Sequence, residues 1–259
     1  MEQKKLEACA DLLYHSSKTR IAIAPLTETF AGLTVDDAYH IQLLNIERAV
    51  KEGQVISGKK IGLTSPGIQK QLGVNEPDYG HLFESMNCKN GEVKTDHFLQ
   101  PKIEAEIAFI LKADLSGGKV TPADVMQAAD YVVGAFEIVD SRVADWKIKL
   151  IDTISDNASS GCYVRGDKRV SAAFIDLAGE TMKLYKNGEL INQGDGAAVL
   201  GNPCNAVAWL ANRLYDYGVV LKKGEVILSG AFSAAPEAVR GDLFEAEFGS
   251  LGKVTAKFV

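Results

Sequence analysis

The chain has 259 residues, with 34 acidic against 28 basic side chains and a formal net charge of −6. Hydrophobic residues make up 46% and charged residues 24%, which is typical of a folded globular protein and excludes a disordered chain. At roughly 100–200 residues per domain, this length predicts one large domain, alone or with a small addition. The acidic balance argues against a nucleic-acid partner, although one Lys or Arg in a pocket is enough to bind an anionic small molecule.

The sequence carries no targeting signal that we recognise. Its first residues mix acids and bases without an apolar run, and no stretch resembles the roughly 20 apolar residues of a membrane-spanning helix. The four cysteines form no Cys-x-x-Cys pair, which is typical of free thiols in a reducing compartment. We therefore expect a cytoplasmic protein that does not act at a membrane.

Helical periodicity dominates the first fifty residues. A helix is predicted to begin after Thr34, because Asp37 follows three residues later as in a capping box, and to end before Gly53. Its predicted apolar stripe consists of Val35, Tyr39, Leu43, Ile46 and Val50. Short apolar runs follow Gly53, so we divide the chain into an N-terminal helical portion, residues 1–57, and a second domain, residues 58–259.

The second domain is rich in predicted strands. Alternating apolar residues and turn signals predict strands over 102–111, 132–139, 182–185, 189–191, 225–230, 243–248 and 253–259. Asn187-Gly188 predicts a hairpin turn, Thr121-Pro122 the start of a helix, and Asn202-Pro203 a second helix that Gly218 would end. Because strands and helices do not alternate regularly, we predict an α+β fold with a mixed sheet.

Three glutamates in apolar runs are the strongest chemical signal. Glu104 and Glu106 lie two residues apart on a predicted strand, so both carboxylates point to one face about 7 Å apart. Glu137 lies in a second apolar run. Carboxylates that are buried together repel each other, and a hard divalent cation relieves that cost. The three therefore form a candidate all-oxygen site for Mg²⁺ or Mn²⁺, with open positions for water or substrate.

Two other interpretations of these glutamates stay open. The pair on one strand is also compatible with a solvated strand face, and the sequence alone weighs both interpretations about equally. The carboxylates could also form the acid/base pair of a glycosidase, although the aromatic platforms that bind sugars are missing.

Polar residues elsewhere offer further chemistry. Lys60 is either solvated or an anion anchor with acid/base capacity, and Asp78 is either a turn residue or part of a pocket. The small polar loop around Ser159 could hold a carboxylate or form an ordinary turn. The stretch 140–156, which contains Trp146, could cover a pocket or expose a charged helix.

From about residue 20 onwards the chain resembles the 2-keto-4-pentenoate (2-hydroxypenta-2,4-dienoate) hydratases of the fumarylacetoacetate-hydrolase-like superfamily. The motifs that carry this resemblance are Gly58-Lys59-Lys60-Ile61-Gly62-Leu63-Thr64, Gln71-Leu72-Gly73-Val74, Pro77-Asp78-Tyr79-Gly80, Gln100-Pro101-Lys102-Ile103-Glu104-Ala105-Glu106, Phe136-Glu137-Ile138-Val139-Asp140-Ser141-Arg142, Asp156-Asn157-Ala158-Ser159 and Leu228-Ser229-Gly230.

The resemblance implies roles for six residues. Glu104, Glu106 and Glu137 would bind the metal. Lys60 and Asp78 would handle protons near the substrate, Ser159 would help to hold its carboxylate, and Lys60 would also contact it. The implied reaction adds water to 2-hydroxypenta-2,4-dienoate and gives 4-hydroxy-2-oxopentanoate during aromatic meta-cleavage catabolism.

The resemblance also implies a mixed β-roll domain after the helical portion and a multi-subunit homo-oligomer. It leaves open an association with a neighbouring pathway enzyme. The 4-oxalocrotonate decarboxylases share the three glutamates and the lysine, so decarboxylation of 2-oxo-3-hexenedioate is the second prediction. A non-catalytic partner subunit of such an enzyme is the third.

Overall fold

The computed structural model describes residues 3–259, except for the side chains of Gln71 and Leu72, which belong to one of the resemblance motifs. The helices are α1 (Gln3–Thr19), α2 (Leu26–Thr29), α3 (Val35–Lys51), α4 (Pro66–Leu72), α5 (Pro122–Ala128), α6 (Leu150–Ser155) and α7 (Pro203–Tyr215). The strands are β1 (Ile56–Gly62), β2 (Asp78–Phe83), β3 (Glu92–Val93), β4 (Lys102–Leu111), β5 (Ala129–Val139), β6 (Ser160–Arg165), β7 (Thr181–Lys186), β8 (Glu189–Asp195), β9 (Val226–Ala231), β10 (Leu243–Phe248) and β11 (Gly252–Phe258).

The strands form two mixed sheets. A six-stranded sheet has the order β2-β1-β9-β4-β5-β6, in which only the β1–β9 pair is parallel within the described residues. A five-stranded sheet has the order β3-β11-β10-β7-β8. Aromatic side chains such as Phe136 of the first sheet and Phe244 and Phe258 of the second share one buried apolar core. This core fixes the six-stranded sheet, which carries the glutamates.

Helices α1 and α3 pack on each other and form a smaller core of their own, which includes Leu6, Leu13 and Ile41. The predicted capping box at Thr34 and Asp37 is present, with both reciprocal hydrogen bonds. Among residues 3–259, no helix has the length and apolar character needed to cross a membrane.

The predicted stripe on α3 is partly wrong. Tyr39 and Ile46 are buried, but Leu43 and Val50 are 40% and 45% exposed. The buried face instead includes Ile41 and Gln42, because α3 packs between α1 and the distant α6 and so covers a face that a single apolar stripe does not describe.

The α+β prediction is confirmed, with N-terminal helices followed by mixed sheets. The predicted hairpin at Asn187-Gly188 connects β7 and β8, and both turn residues have positive φ. The helix that begins after Asn202 ends at Tyr215, three residues before Gly218. The division near residue 57 stays a prediction, although helices do give way to strands between Lys51 and Ile56.

Candidate active site

The site lies in a cavity of about 590 Å³ at one face of the six-stranded sheet. Its inner end contains Lys60, Asp78 and Ser159. The more exposed part of its lining includes the apolar side chains of Ile68 and Ile148. A polar inner end and an apolar outer wall suit a small anion that carries a hydrocarbon tail.

The three glutamates meet on the paired strands β4 and β5. Glu104 is directly opposite Glu137 in the antiparallel ladder, and Glu106 follows two residues later on the same face of β4. One carboxylate oxygen of each residue lies within 4.8 Å of the others. Glu106 and Glu137 are 0% exposed, which rules out the solvated strand face as an interpretation of the pattern.

Three of the four carboxylate oxygens of Glu106 and Glu137 have no hydrogen-bond partner among residues 3–259. Glu106 Oε2 accepts a 2.8 Å hydrogen bond from the Gly230 N–H. Within the described part of the chain, Glu106 Oε1 and both Glu137 oxygens have no hydrogen-bond partner, although Glu137 Oε1 lies 3.2 Å from the Lys60 ammonium. Buried carboxylate oxygens without partners are costly, and together with the partly buried Glu104 these residues provide the hard oxygen donors that Mg²⁺ and Mn²⁺ prefer. The residues therefore fit a divalent cation.

The same arrangement raises the pKa of all three carboxyl groups. Burial is the main cause, and it raises the pKa of Glu137 to about 8. The pKa of Glu106 rises well above its ordinary value through burial and the neighbouring glutamates. The pKa of Glu104 is also raised by burial, which the ammonium groups of Lys60 and Lys102 oppose. Without a cation, each of these carboxyl groups therefore binds a proton more readily than an exposed glutamate does.

Lys60 and Asp78 lie beside the glutamates on β1 and β2, and they are 3% and 1% exposed. Lys60 donates to the Ala158 carbonyl oxygen over 3.0 Å. Burial alone would lower the pKa of Lys60, but the surrounding carboxylates, Glu137 foremost, outweigh burial and raise it. Burial raises the pKa of Asp78, and Lys60 opposes that rise. Lys60 is thus a buried cation, and Asp78 a carboxyl that holds its proton more readily than an exposed one.

A short polar chain connects Asp78 to Ser159. Thr153 Oγ1 donates to Asp78 Oδ2 over 3.3 Å and lies 3.4 Å from Ser159 Oγ. Asp78 Oδ1 has no hydrogen-bond partner among residues 3–259. Thr153 is in α6, and the sequence offered no periodicity or motif that would have singled it out.

Ser159 ends a left-handed turn. Asn157, Ala158 and Ser159 have φ values of 54°, 50° and 53°. This conformation costs roughly 1–2 kcal/mol for each residue that is not glycine, and such strain is concentrated at functional sites. Gly80 is needed beside the turn, because a Cβ there would lie 2.3 Å from the Asn157 carbonyl oxygen.

Arg142 and Asp156 hold this turn in place. The two side chains form a buried ion pair, and the Arg142 backbone N–H donates to Asp156 Oδ2 over 2.9 Å. The Arg142 guanidinium also donates to the carbonyl oxygens of Asp156 and Ser160, over 2.7 and 3.1 Å. Two of the resemblance motifs thus contribute residues that position Ser159. These contacts anchor the stretch 140–156 near both of its ends, and Trp146 and Ile148 within it line the cavity.

The structure thus brings together Lys60, Asp78, Ser159 and the three glutamates, which the sequence placed on five separate segments. Their chemical roles stay predictions. Two further groups, the Thr153 hydroxyl and the Gly230 N–H, were not predicted.

Comparison with known proteins places this fold and site in one class. Residues 75–259 match the family model described as fumarylacetoacetate (FAA) hydrolase C-terminal. This range is most of the chain, and the chain therefore belongs to the fumarylacetoacetate hydrolase family.

Individual relatives are similar over nearly the whole chain. A protein of Paraburkholderia xenovorans (strain LB400) named 2-keto-4-pentenoate hydratase is 46% identical, over 100% of this chain and 96% of its own length. A 2-hydroxyhexa-2,4-dienoate hydratase of Comamonas testosteroni is 42% identical, over 99% of this chain and 98% of its own. Among solved structures, 4-oxalocrotonate decarboxylase from Pseudomonas putida G7, complexed with magnesium and adipate, superimposes with a TM-score of 0.96. It is 35% identical, and the alignment covers 100% of this chain and 99% of that one.

Proposed function

We propose that the chain is a divalent-metal-dependent hydratase that adds water to 2-hydroxypenta-2,4-dienoate and releases 4-hydroxy-2-oxopentanoate in aromatic meta-cleavage catabolism. The observation that carries the proposal is the group of three carboxylates, with unpartnered buried oxygens, next to Lys60 and Asp78. The names of the 46% and 42% identical relatives support the choice of hydration.

The reaction requires proton movements at defined atoms. The enol loses its 2-hydroxyl proton and gains a proton at C5, which makes C4 electrophilic, and water then adds at C4 while C3 gains a proton. Groups that handle these protons must come within about 3 Å of the reacting atoms, with pKa values near the working pH. Asp78 and Lys60 both line the inner end of the cavity, which supports assigning the proton movements to them.

The cavity residues have separate roles in this reaction: metal binding, proton exchange and stabilisation of negative charge. Glu104, Glu106 and Glu137 would hold the cation, which when bound supplies Lewis-acid stabilisation of the negative charge on the substrate's 2-oxygen. Asp78 exchanges protons with the carbon chain, and its hydrogen bond from Thr153 keeps its carboxylate oriented. Lys60 contributes positive charge beside the developing enolate, and the Ser159 hydroxyl donates to the substrate carboxylate.

Several finer properties belong to the same proposal. Mg²⁺ or Mn²⁺ is the expected cation, because all three ligands are hard oxygen donors. The helical portion, residues 1–57, has a small apolar core of its own, which supports treating residues 58–259 as the catalytic domain. A cytoplasmic location is supported by the four free cysteines. The homo-oligomer and the absence of nucleic-acid and membrane partners stay predictions.

The proposal is tested by an ultraviolet assay with metal-free enzyme and two substrates, 2-hydroxypenta-2,4-dienoate and 2-oxo-3-hexenedioate. Each is incubated with Mg²⁺, with Mn²⁺ and with excess chelator, and products are identified by mass. Metal-dependent addition of water to the first compound is expected. Loss of CO₂ from the second compound with the first left intact would identify a decarboxylase instead. Undiminished turnover in chelator would remove the metal from the proposal.

Asp78→Asn tests the proton role. Asn keeps the size of the side chain and can still accept the hydrogen bond from Thr153. Loss of a positioned acid or base costs about 10²–10⁴-fold in rate, so kcat should fall by that factor while the inhibition constant of oxalate stays nearly unchanged. Thr153→Val is the matched control, because it removes the hydrogen bond and leaves the carboxyl. A kcat of Asp78→Asn close to that of the wild type would exclude Asp78 from the mechanism.

A further inference from the structure

Gln42 of α3 is a buried residue whose side-chain amide contacts two elements of the candidate site. The residue is 1% exposed. Its Nε2 donates to the Tyr79 carbonyl oxygen over 3.0 Å and to the Ile154 carbonyl oxygen over 2.9 Å. Its Oε1 lies 3.1 Å from His81 Nδ1. Both N–H groups and the oxygen of the amide are therefore in use, as a polar group without access to water requires.

The two carbonyl groups that accept from this amide adjoin residues of the site. Tyr79 directly follows Asp78 on β2, and Ile154 directly follows Thr153 in α6. Thr153 Oγ1 donates to Asp78 Oδ2 over 3.3 Å, which is long for a bond between a hydroxyl and a carboxylate and leaves little room for further separation of the two backbones. The Gln42 amide thus bridges these backbones one residue away from the contact that orients Asp78.

The free edge of β2 depends on side chains for its hydrogen bonds. β2 is the edge strand of the six-stranded sheet, so the backbone groups on its outer side need partners other than a strand. Gln42 serves the Tyr79 carbonyl. The Asn157 side chain accepts from the His81 N–H over 2.7 Å and donates to the His81 carbonyl oxygen over 2.9 Å. Asn157 begins the left-handed turn that ends at Ser159, so two side-chain amides connect this edge to α3, to α6 and to the turn.

The orientation of the Gln42 amide is fixed by its neighbours. Burial lowers the pKa of His81 to about 3, so the ring is neutral and donates from Nδ1 to the amide oxygen. The reverse orientation would place the amide oxygen against two carbonyl oxygens, none of which can donate. One turn earlier on α3, the Tyr39 ring stacks on the Tyr79 ring with their centroids 4.7 Å apart. Two residues on one face of α3 therefore hold this helix against β2.

We propose that Gln42 is a positioning residue for the reaction: its amide holds β2 and α6 at the separation at which the Thr153 hydroxyl orients the Asp78 carboxyl. The inference rests on the proposed function, because Gln42 acts through Asp78. Helix α3 lies outside residues 75–259, the range that matches the family model. The N-terminal helical portion thereby contributes to the geometry of the site.

The test compares hydration of 2-hydroxypenta-2,4-dienoate by Gln42→Met and by the wild type, with saturating Mg²⁺. Methionine is also unbranched and similar in length, so the substitution removes the amide and keeps the packing. kcat should fall by about tenfold, because small displacements of a group that transfers protons are costly to the rate. KM and the inhibition constant of oxalate should change by less than about twofold, since the hydrogen bonds of Gln42 do not reach β4 or β5, which carry the glutamates.

A double-mutant cycle shows whether Gln42 acts through the contact between Thr153 and Asp78. Thr153→Val removes the hydroxyl that Gln42 is proposed to position. Adding Gln42→Met to Thr153→Val should therefore lower kcat by less than a further factor of about two. Independent effects would multiply instead, and the double variant would then be about tenfold slower than Thr153→Val alone.

Asn45→Leu is the matched control. Asn45 lies on the same helix, and its amide also donates to a backbone carbonyl, that of Ala10 over 2.9 Å, but in the direction of α1. This substitution should leave kcat within about twofold of the wild type, whatever it costs in stability. The Tm of each variant is measured, and rates are compared well below all of them. If Gln42→Met does not fold, Gln42→Asn takes its place, because it stays polar but is one methylene shorter and cannot reach both carbonyl oxygens.

Three results would overturn the proposal. A kcat of Gln42→Met within about twofold of the wild type would show that the amide does not affect the reaction. A rise in KM as large as the fall in kcat would show a general loosening of the site, and so would effects of the two substitutions that multiply. Failure of the proposed function looks different, because the wild type itself would then not hydrate the substrate, and this role would be lost before any variant is compared.

Discussion

Glu106→Gln tests the metal site without relying on turnover. Glu106 is fully buried, and its Oε2 accepts from the Gly230 N–H while its Oε1 has no partner in the described chain. Glutamine has nearly the same shape and can keep the bond from Gly230 through its own oxygen. The substitution thus removes one charge and one anionic ligand from a group of three, and it leaves the packing in place.

The size of the effect follows from linkage. A cation that binds only the folded state stabilises it by about 2.7 kcal/mol when the free cation concentration is about 100 times the dissociation constant. Unfolding entropy is about 2.1 cal/mol/K per residue, or about 0.54 kcal/mol/K for 259 residues. Saturating Mg²⁺ should therefore raise the Tm of the wild-type protein by about 5 °C. In the variant the rise should fall below about 1 °C, because the remaining ligands bind the cation far more weakly.

The assay is scanning calorimetry of chelator-treated protein at pH 7.5, with MgCl₂ or MnCl₂ added and KCl at matched ionic strength. In the absence of metal, the variant should melt no lower than the wild type, since removing one carboxylate relieves repulsion from Glu104 and Glu137. Glu247→Gln, which changes an exposed glutamate on the other sheet, should keep the full metal effect. A full metal effect in Glu106→Gln, or none in the wild type with either metal, would refute the three-glutamate site.

Two further predictions concern stability. Gly230→Ala should lower the free energy of unfolding in urea by more than about 1 kcal/mol, because φ is 113° at this residue and a Cβ would lie 2.2 Å from Thr64 Oγ1. Gly32→Ala is the control and should cost less, because φ is 74° there and no atom lies near the added Cβ. Burial lowers the pKa of His81 to about 3, so protonation favours the unfolded chain and stability falls as pH drops below the unfolded pKa of about 6.5. Relative to His81→Gln, the wild type should therefore lose about 2 kcal/mol of stability between pH 7.5 and 5, because other groups titrate equally in both proteins. A variant of the exposed His97 should follow the wild type, and equal pH dependence of wild type and His81→Gln would contradict the reasoning.

Local signals predicted local structure well. The capping box at Thr34 and the hairpin at Asn187-Gly188 depend on neighbours within a few residues, and both are confirmed. The exposed positions Leu43 and Val50 were misjudged, because the buried face of α3 depends on α6, which lies about a hundred residues later in the chain. Patterns along one helix cannot encode a partner that arrives from elsewhere in the fold.

In the candidate site, too, the sequence indicated local features but not the contacts between distant elements. A charged pair in an apolar run signalled Glu104 and Glu106, since burial of two like charges needs compensation. That Glu137 lies opposite Glu104 follows from strand register, which sequence spacing does not specify. The Thr153 hydroxyl and the Gly230 N–H carry no signal of their own, because their contacts with Asp78 and Glu106 exist only after the sheet and α6 are assembled.

The cavity lining comes from two kinds of structure, paired strands and the connections between them. The glutamates belong to β4 and β5, which pair along ten registered positions, whereas much of the remaining lining comes from connections, such as residues 63–65 and 232–235 together with Trp146 and Ile148. Substitutions in a connection leave the strand ladder intact, so the tail-binding wall can diverge while the reactive centre stays as it is. A mutant library aimed at new substrates therefore belongs in those connections rather than on the strands.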